Sequence, residues 1–488
     1  MINSASFVAN VIRIASGSFF GQLIFIASSP LITRIYNPEV FGIFAIYNAI
    51  VRLISSVSPL RYEMAIIITK KKIDAKNLLF ISISFVFISV LVFFQVINLI
   101  SYLTIPSNLT NIITKYPAFI CMGILFSGLL IVLVSWETRS SHFTNIGIFR
   151  ALRPFFTSIT QIAYGLFVKA SIYGLFIGDI LGSFFGFIFL SSAILKRAGS
   201  NFFQDISKSK SLELLGRYKN FPIYSTWSVF VNSLLIQLPV IILIHYFSAS
   251  IAGYYALANR LLQTPMIVFN YSVGQVFLKD STDTRVSGDI HLLVTKTLSR
   301  LIMIAIFPII ILALIGQDIF QLLFGSEWRE AGLYVQVLSL WCFSAFILSP
   351  LSHLINVYEK QNTGLLINII RLVVRIGILI ITAHLTNNPL ITLILFSVSG
   401  FVTNMAFLLW LLKLSRASIL KCLISFTKYG AIAAAFSVPL ILPIWFFNIS
   451  SHLKIIISVT LIIGYYLYIL SIDSGLRVLL KKTLTTSN

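Results

Sequence analysis

Six arginines, Arg13, Arg52, Arg61, Arg260, Arg371 and Arg375, fall inside long apolar stretches of this 488-residue chain. A guanidinium is planar, permanently charged and carries five donors in a fork that matches carboxylate and phosphate oxygens. In the middle of a bilayer an arginine costs roughly 2.5–3.5 kcal/mol even on the lenient insertion scale. Arg52 is the hardest to dismiss. It lies some ten residues into its apolar run, near mid-membrane at a rise of ~1.5 Å per residue. Glu63 and Asp179 are the in-span acids available to pair with it, and they cannot neutralise six arginines. A net cationic interior wants an anionic substrate. Glu63 and Asp179 are also the candidate groups for coupling to an ion. The six histidines form no HExxH pair, and Cys121, Cys342 and Cys422 are scattered along apolar runs. No metal-ligand spacing, disulfide framework or Ser-His-Asp arrangement is present. The residues read as a device that binds and moves an anion, with no cofactor, no metal and no enzymatic chemistry.

Those arginines must be positioned by membrane helices. The chain is 58% hydrophobic and 10% charged, and a helix needs about 20 apolar residues to cross the hydrocarbon. Fourteen runs qualify, at roughly 7–33, 41–69, 77–100, 117–136, 154–168, 172–195, 221–246, 253–278, 299–318, 332–358, 364–384, 389–412, 429–447 and 454–472. The expectation is an all-α polytopic membrane protein of about fourteen transmembrane helices. The net charge of +21 suggests a nucleic-acid binder until its placement is read. Lys and Arg crowd alternate connections, while only Arg34, Lys115, Lys169, Arg329 and Lys454 fall in the others. The positive-inside rule makes the basic set cytoplasmic. Both termini are then cytoplasmic, and no nucleic-acid partner is expected. The first apolar run is full-length and reads as a retained helix rather than a signal peptide.

The start of the chain recurs 211 residues later. Residues 35–48 align with 246–259, with Gly42, Ala45 and Asn48 matching Gly253, Ala256 and Asn259. Spans 1–6 and 7–12 then read as parallel repeats, a layout found in transporters. The expected organisation is an N-lobe at 1–195, a cytoplasmic linker at 196–220, a C-lobe at 221–412, and two appended helices with a tail at 413–488. Helical spacing marks polar stripes. Asn10, Arg13, Gly17 and Gly21 share a face of span 1. Asn48, Arg52, Ser55/Ser56, Pro59 and Glu63 share one of span 2. Ser225, Ser228 and Asn232 do so on span 7. Asn259/Arg260, Gln263/Thr264, Asn270/Tyr271 and Gly274/Gln275 do so on span 8. Arg371 and Arg375 are i,i+4 on span 11. The stripes are expected to line one central cavity between the lobes.

Blander readings stand beside these. A Gly17/Gly21 stripe is the usual mark of helix packing. Arg13 and Arg371 lie close enough to the cytoplasmic interface to snorkel. Arg61 and Glu63 fit a pair that stabilises the end of span 2.

Several stretches carry a resemblance to a known family. They are SPLITRIYNPEVFGIFAIY at 29–47, RYEMAIII at 61–68, FPIYSTWSVFVNSLLIQLPVIIL at 221–243, AGYYALANRLLQTPMIVFNYSVGQVFL at 252–278 and GSEWREAGLYVQVLSLWCFSAFILSPLSHLINVYEKQ at 325–361. Together and in order they resemble Wzx-type polysaccharide repeat-unit (O-antigen) flippases of the multidrug/oligosaccharidyl-lipid/polysaccharide exporter superfamily. The likeness covers most of the first twelve spans. It implies two six-helix lobes, an alternating-access cavity and two appended helices in the bacterial inner membrane. It implies a substrate, an oligosaccharide repeat unit linked by pyrophosphate to undecaprenol, moved from the cytoplasmic to the periplasmic leaflet. The expected partners are that lipid-linked oligosaccharide, membrane lipid, and a polysaccharide polymerase with its chain-length regulator. Related lipid II flippases place essential arginines on their first, second and eighth helices, which implies that role for Arg13, Arg52 and Arg260. Two rivals remain. A multidrug cation exporter of the same superfamily would want buried carboxylates where this chain has arginine. A membrane polymerase or ligase would want a large outward loop with catalytic Arg or His, and the segment at 101–117 has no His and one Lys.

Overall fold

In lipid every backbone N–H and C=O must find a partner within its own segment, and the apolar runs meet that demand as helices. The computed structural model describes residues 4–102, 108–199, 206–287, 289–447 and 449–472. The elements in order are α1 (Ser4–Ile35), α2 (Pro38–Ser55), α3 (Tyr62–Ile68), α4 (Lys72–Tyr102), α5 (Asn108–Lys115), α6 (Pro117–Arg139), α7 (Phe143–Phe167), α8 (Ile172–Ala198) and α9 (Lys208–Arg217). They continue with α10 (Thr226–Tyr246), α11 (Ala249–Ser287), α12 (Ile290–Phe324), α13 (Arg329–Leu351), α14 (Leu354–Val357), α15 (Gln361–Thr386), α16 (Pro389–Leu414), α17 (Ile419–Phe447) and α18 (Ser451–Ile472). No strand occurs among the described residues. Among the described residues, twelve segments are long and apolar enough to cross a membrane. Two further long helices, α7 and α11, fall outside that set because polar residues dilute their apolar character. The chain is an all-α multi-pass membrane protein.

Two expected boundaries are corrected. The run at 41–69 is two helices, not one. Helix α2 stops at Ser55, a turn follows, and Leu60 (φ 50) and Arg61 (φ 61) take left-handed backbone before α3. Pro59 lacks the N–H that a continuing helix would need. Glu63 therefore does not continue the face of Asn48 and Arg52. The run at 154–168 begins eleven residues earlier, at Phe143, and Pro154 sits inside the helix rather than at its start. Arg150 and Arg153, expected in a cytoplasmic connection, lie within α7.

The chain forms two compact units, 1–257 with 368–392 and 258–367 with 393–488. In the first, α1 packs along α7. A Cβ on Gly17 would meet the Gly147 carbonyl oxygen at 2.1 Å, and one on Gly21 would meet that of Arg150 at 2.3 Å. The glycine stripe of span 1 is thus helix packing. The start of α2 is fixed by Pro38 at its first turn and by Asn37, whose Oδ1 accepts from the Val40 N–H at 2.9 Å. Buried hydroxyls and amides stitch the long helices together. Ser28 and Ser158 hydroxyls lie 2.8 Å apart, Tyr36 donates to the Gln161 carbonyl at 2.8 Å, and Gln161 donates to the Leu175 carbonyl at 3.1 Å. The short α9 is docked on α4. Asn77 Oδ1 accepts from the Ser207 N–H at 3.0 Å and the Ser211 hydroxyl at 3.1 Å, and Tyr62 donates to the Leu215 carbonyl at 3.2 Å.

In the second unit, α12 carries the core. Phe307 stacks on Tyr465 of α18 with centroids 4.6 Å apart, and the Tyr465 hydroxyl donates to the Met303 carbonyl at 2.7 Å. Gly316 and Gly332 let α12 and α13 approach at backbone distance. Lys454 pairs with Asp318 at 3.1 Å, anchoring α18 to the end of α12.

Candidate anion site

Asp179 organises the polar interior of the first unit. It projects from α8 and is 8% exposed. Tyr47 of α2 donates its hydroxyl to Asp179 Oδ2 at 3.1 Å. The Tyr47 ring is held by Phe176, one turn from Asp179, at a centroid distance of 4.8 Å. On the other side, Arg153 Nη2 of α7 stands 3.6 Å from Asp179 Oδ1. Gly182 makes this approach possible, since a Cβ there would meet the Thr157 hydroxyl at 2.0 Å and the Arg153 carbonyl at 2.8 Å. Three helices thus hold one carboxylate.

Arg52 belongs to the same cluster. It lies on α2, and its charge interacts with those of both Arg153 and Asp179. Helix α2 is largely buried, yet Arg52 itself is exposed. Its side chain therefore opens into space that protein does not fill. Among the described residues no hydrogen bond or ion pair engages the Arg52 guanidinium. Two arginines sharing one carboxylate leave a surplus positive charge.

A second cationic pair stands on α15. Arg371 Nη1 donates to Asn368 Oδ1 at 3.2 Å, and Arg375, one turn on, is 7% exposed and interacts with the charge of Arg371 and with Tyr255 of α11. Asn48 donates to the Phe44 carbonyl of its own helix at 3.1 Å. Asn259 and Arg260 lie on α11 in the second unit. Asn259 Oδ1 accepts from Gln263 at 2.9 Å, and the Arg260 carbonyl accepts from Thr264 at 2.8 Å. The side chain of Arg13 lies outside the described residues. Glu63 is buried and paired with Arg61 Nη1 at 3.0 Å, while Arg61 Nε donates to the Ser225 hydroxyl at 3.3 Å. That pair ties α3 to the segment before α10.

Arg153 and Tyr47 are the residues that sequence reasoning missed. Arg153 falls one residue before the expected run at 154–168. Tyr47 lies beside the expected polar stripe of Asn48 and Arg52, not on it. Glu137 was missed as well. It is fully buried at the end of α6, paired with Arg197 and accepting from Asn145 at 2.8 Å.

A helical membrane scaffold with a cationic interior is the arrangement to set against known proteins. A family model described as "Polysaccharide biosynthesis protein" matches residues 31–333. The chain belongs to that family. No curated protein matches the sequence. Among solved structures, "Lipid II flippase MurJ, inward closed conformation" superposes with a TM-score of 0.73 at 15% identity, over 94% of this chain and 99% of that one. An inward-facing "multidrug resistance MATE family transporter of the MOP superfamily" gives 0.58 at 13% identity, over 83% and 95%. "Reverse polarity of binding pocket suggests different function of a MOP superfamily transporter from Pyrococcus furiosus" gives 0.51 at 13% identity, over 83% and 95%. The fold is the one these transporters share.

Proposed function

We propose that the protein is a flippase that carries an undecaprenyl-pyrophosphate-linked oligosaccharide across the bacterial inner membrane, from the cytoplasmic to the periplasmic leaflet. The family supports a role in polysaccharide assembly, and the fold supports transport of a lipid-linked precursor. The observation that carries the reading is the exposed guanidinium of Arg52, which no hydrogen bond or ion pair engages among the described residues and which shares the single carboxylate of Asp179 with Arg153. A surplus charge inside a membrane helix is tolerated where a ligand or water-filled space receives it. Two forked donors suit a pyrophosphate, whose oxygens accept paired N–H bonds. Arg371 and Arg375 supply a second cationic pair, and Arg13 and Arg260 extend the set by resemblance. The sugar occupies aqueous space, the polyprenyl tail stays in lipid, and no covalent bond changes. Alternating access of the two repeats, with both termini cytoplasmic, completes the cycle. Surplus arginine in the interior repels a cationic drug and lowers the cost of dehydrating a diphosphate, which disfavours the multidrug alternative.

The test is to delete the gene and analyse lipid-linked glycans by leaflet. A pyrophosphate-linked oligosaccharide that accumulates on the cytoplasmic face is expected. Unchanged glycans, together with sensitivity to cationic drugs, would overturn the reading.

A further inference from the structure

Asp179 sits where an anion would be expected to bind. Its carboxylate lies between Arg153 and the Tyr47 hydroxyl, within reach of the Arg52 charge. The contact with Arg153, at 3.6 Å, is longer than the 2.7–2.9 Å of a closed charge-assisted bond. The Arg153 side chain remains 34% exposed, against 11% for that of Asp179. The carboxylate is therefore held mainly by tyrosine, and the arginine keeps an open edge. The scaffold around it is stiff. Tyr47 is wedged against Phe176 and stacked on Phe44 at 5.7 Å. Gly178 and Gly182 fit α8 tightly against α7. Among the described residues, the charged and titratable groups that face Asp179 are Tyr47 and Arg52 from α2 and Arg153 from α7.

We propose that Asp179 is a built-in counter-anion for the Arg52/Arg153 pair, which an incoming diphosphate displaces, and that Arg153 is thereby a substrate-contacting arginine. The proposal rests on the flippase reading for the identity of the diphosphate. The empty site needs a negative charge, because two adjacent guanidiniums repel each other in a medium of low dielectric. A single carboxylate provides one charge and leaves a surplus. A diphosphate brings two charges and more acceptors, so it takes Arg153 and Arg52 together. When the diphosphate leaves, Asp179 recloses on Arg153. The carboxylate thus lowers affinity and speeds release, which suits a carrier better than a tight binder. Asp179 acts through the arginines and is a positioning residue.

The experiment measures binding of inorganic pyrophosphate to the purified full-length protein by calorimetry, with inorganic phosphate and chloride as comparison anions. Asp179→Asn keeps an oxygen that accepts from Tyr47 but removes the competing charge. It should tighten pyrophosphate binding by about tenfold, a change of about 1.4 kcal/mol. Tyr47→Phe, which frees the carboxylate while keeping its charge, should weaken binding. Arg153→Lys keeps charge but loses the fork and should weaken pyrophosphate several-fold more than phosphate, with an unchanged melting temperature. A purely structural Asp179 would give the opposite sign, weaker or unchanged binding with a lower melting temperature, and that result would overturn the proposal. If Asp179→Asn does not fold, Arg153→Lys decides alone. Unaltered pyrophosphate affinity there sinks the idea. Failure of the flippase reading is separate, since it would leave these affinities in place while gene deletion left surface glycans unchanged.

Discussion

Gly42 and Gly253 meet as a symmetric pair. A Cβ on Gly42 of α2 would strike the Ala249 carbonyl oxygen at 1.7 Å and the Gly253 nitrogen at 3.0 Å. A Cβ on Gly253 of α11 would strike the Pro38 carbonyl oxygen at 2.1 Å and the Gly42 nitrogen at 3.0 Å. Pro38 and Ala249, like Gly42 and Gly253, are separated by the same 211 positions. Residue i meets the equivalent of j while j meets the equivalent of i, which is the signature of a local two-fold contact. The sequence repeat of 35–48 in 246–259 is therefore matched in space by a backbone crossing.

Gly42→Ala and Gly253→Ala should each destabilise the protein by about 1–3 kcal/mol, because carbonyl backbone cannot yield as a flexible side chain would. Gly377→Ala is the control, since a Cβ there has no neighbour within 4 Å. Thermal unfolding in detergent checks this. Equal melting temperatures for all three variants would count against the close crossing.

The orientation is tested by thiol labelling in intact cells after Cys121, Cys342 and Cys422 are replaced. Cysteines at Lys208 and Arg416 should be protected from an impermeant reagent, and cysteines at Asn108 and Asn387 should be labelled. External labelling at Lys208 would reverse the topology.

Helix α9 offers a local test. Asn77→Ala removes the acceptor for both the Ser207 N–H and the Ser211 hydroxyl. The exposed pair of Lys210 and Glu213, 2.8 Å apart, cannot replace it. That pair holds the Glu213 carboxyl below its ordinary range through the hydrogen bond from Lys210, but it lies within α9, and Lys210 reaches α4 through a long ion pair with Asp74, at 3.8 Å. Limited proteolysis of membranes should cut around 196–220 several-fold faster in Asn77→Ala, with the rest of the chain intact. An unchanged cleavage rate would show that Tyr62, the Lys210–Asp74 ion pair and the apolar contacts suffice to dock α9.

Periodicity and charge placement made the helical membrane architecture legible, because the demand that lipid makes on backbone groups leaves few alternatives. They failed where proline carried two meanings. Pro59 was read as part of a helical face, yet it marks the break between α2 and α3. The expected run at 154–168 starts at Pro154, yet that residue lies inside α7 and Arg153 with it. The low hydropathy of α7 has the same source as its interest, since Arg153 and Gln161, which bond inward to α8, dilute the apolar signal. Arg52 was legible from the cost of its position. Its relation to Asp179 was not, because α2, α7 and α8 meet only in the folded chain.

The sign of the substrate is tested at Arg52. If its guanidinium receives a pyrophosphate, Arg52→Ala should abolish surface polysaccharide while the protein still inserts at normal levels. Among the described residues no hydrogen bond or ion pair holds the Arg52 guanidinium, so the variant should still fold and insert. Arg52→Lys should restore only part of the activity, since it keeps charge without the fork. Arg52→Glu should be at least as damaging as alanine, because it places a second carboxylate near Asp179. Glu63→Gln should act differently, through folding, since Glu63 is buried against Arg61 and its loss disturbs α3. The expected order of polysaccharide export is Arg, then Lys, then Ala and Glu. Immunodetection of surface glycan, with protein level measured in the same membranes, checks it. Wild-type export by Arg52→Ala, or drug efflux that fails in Glu63→Gln and Asp179→Asn instead, would move the chain to the multidrug class.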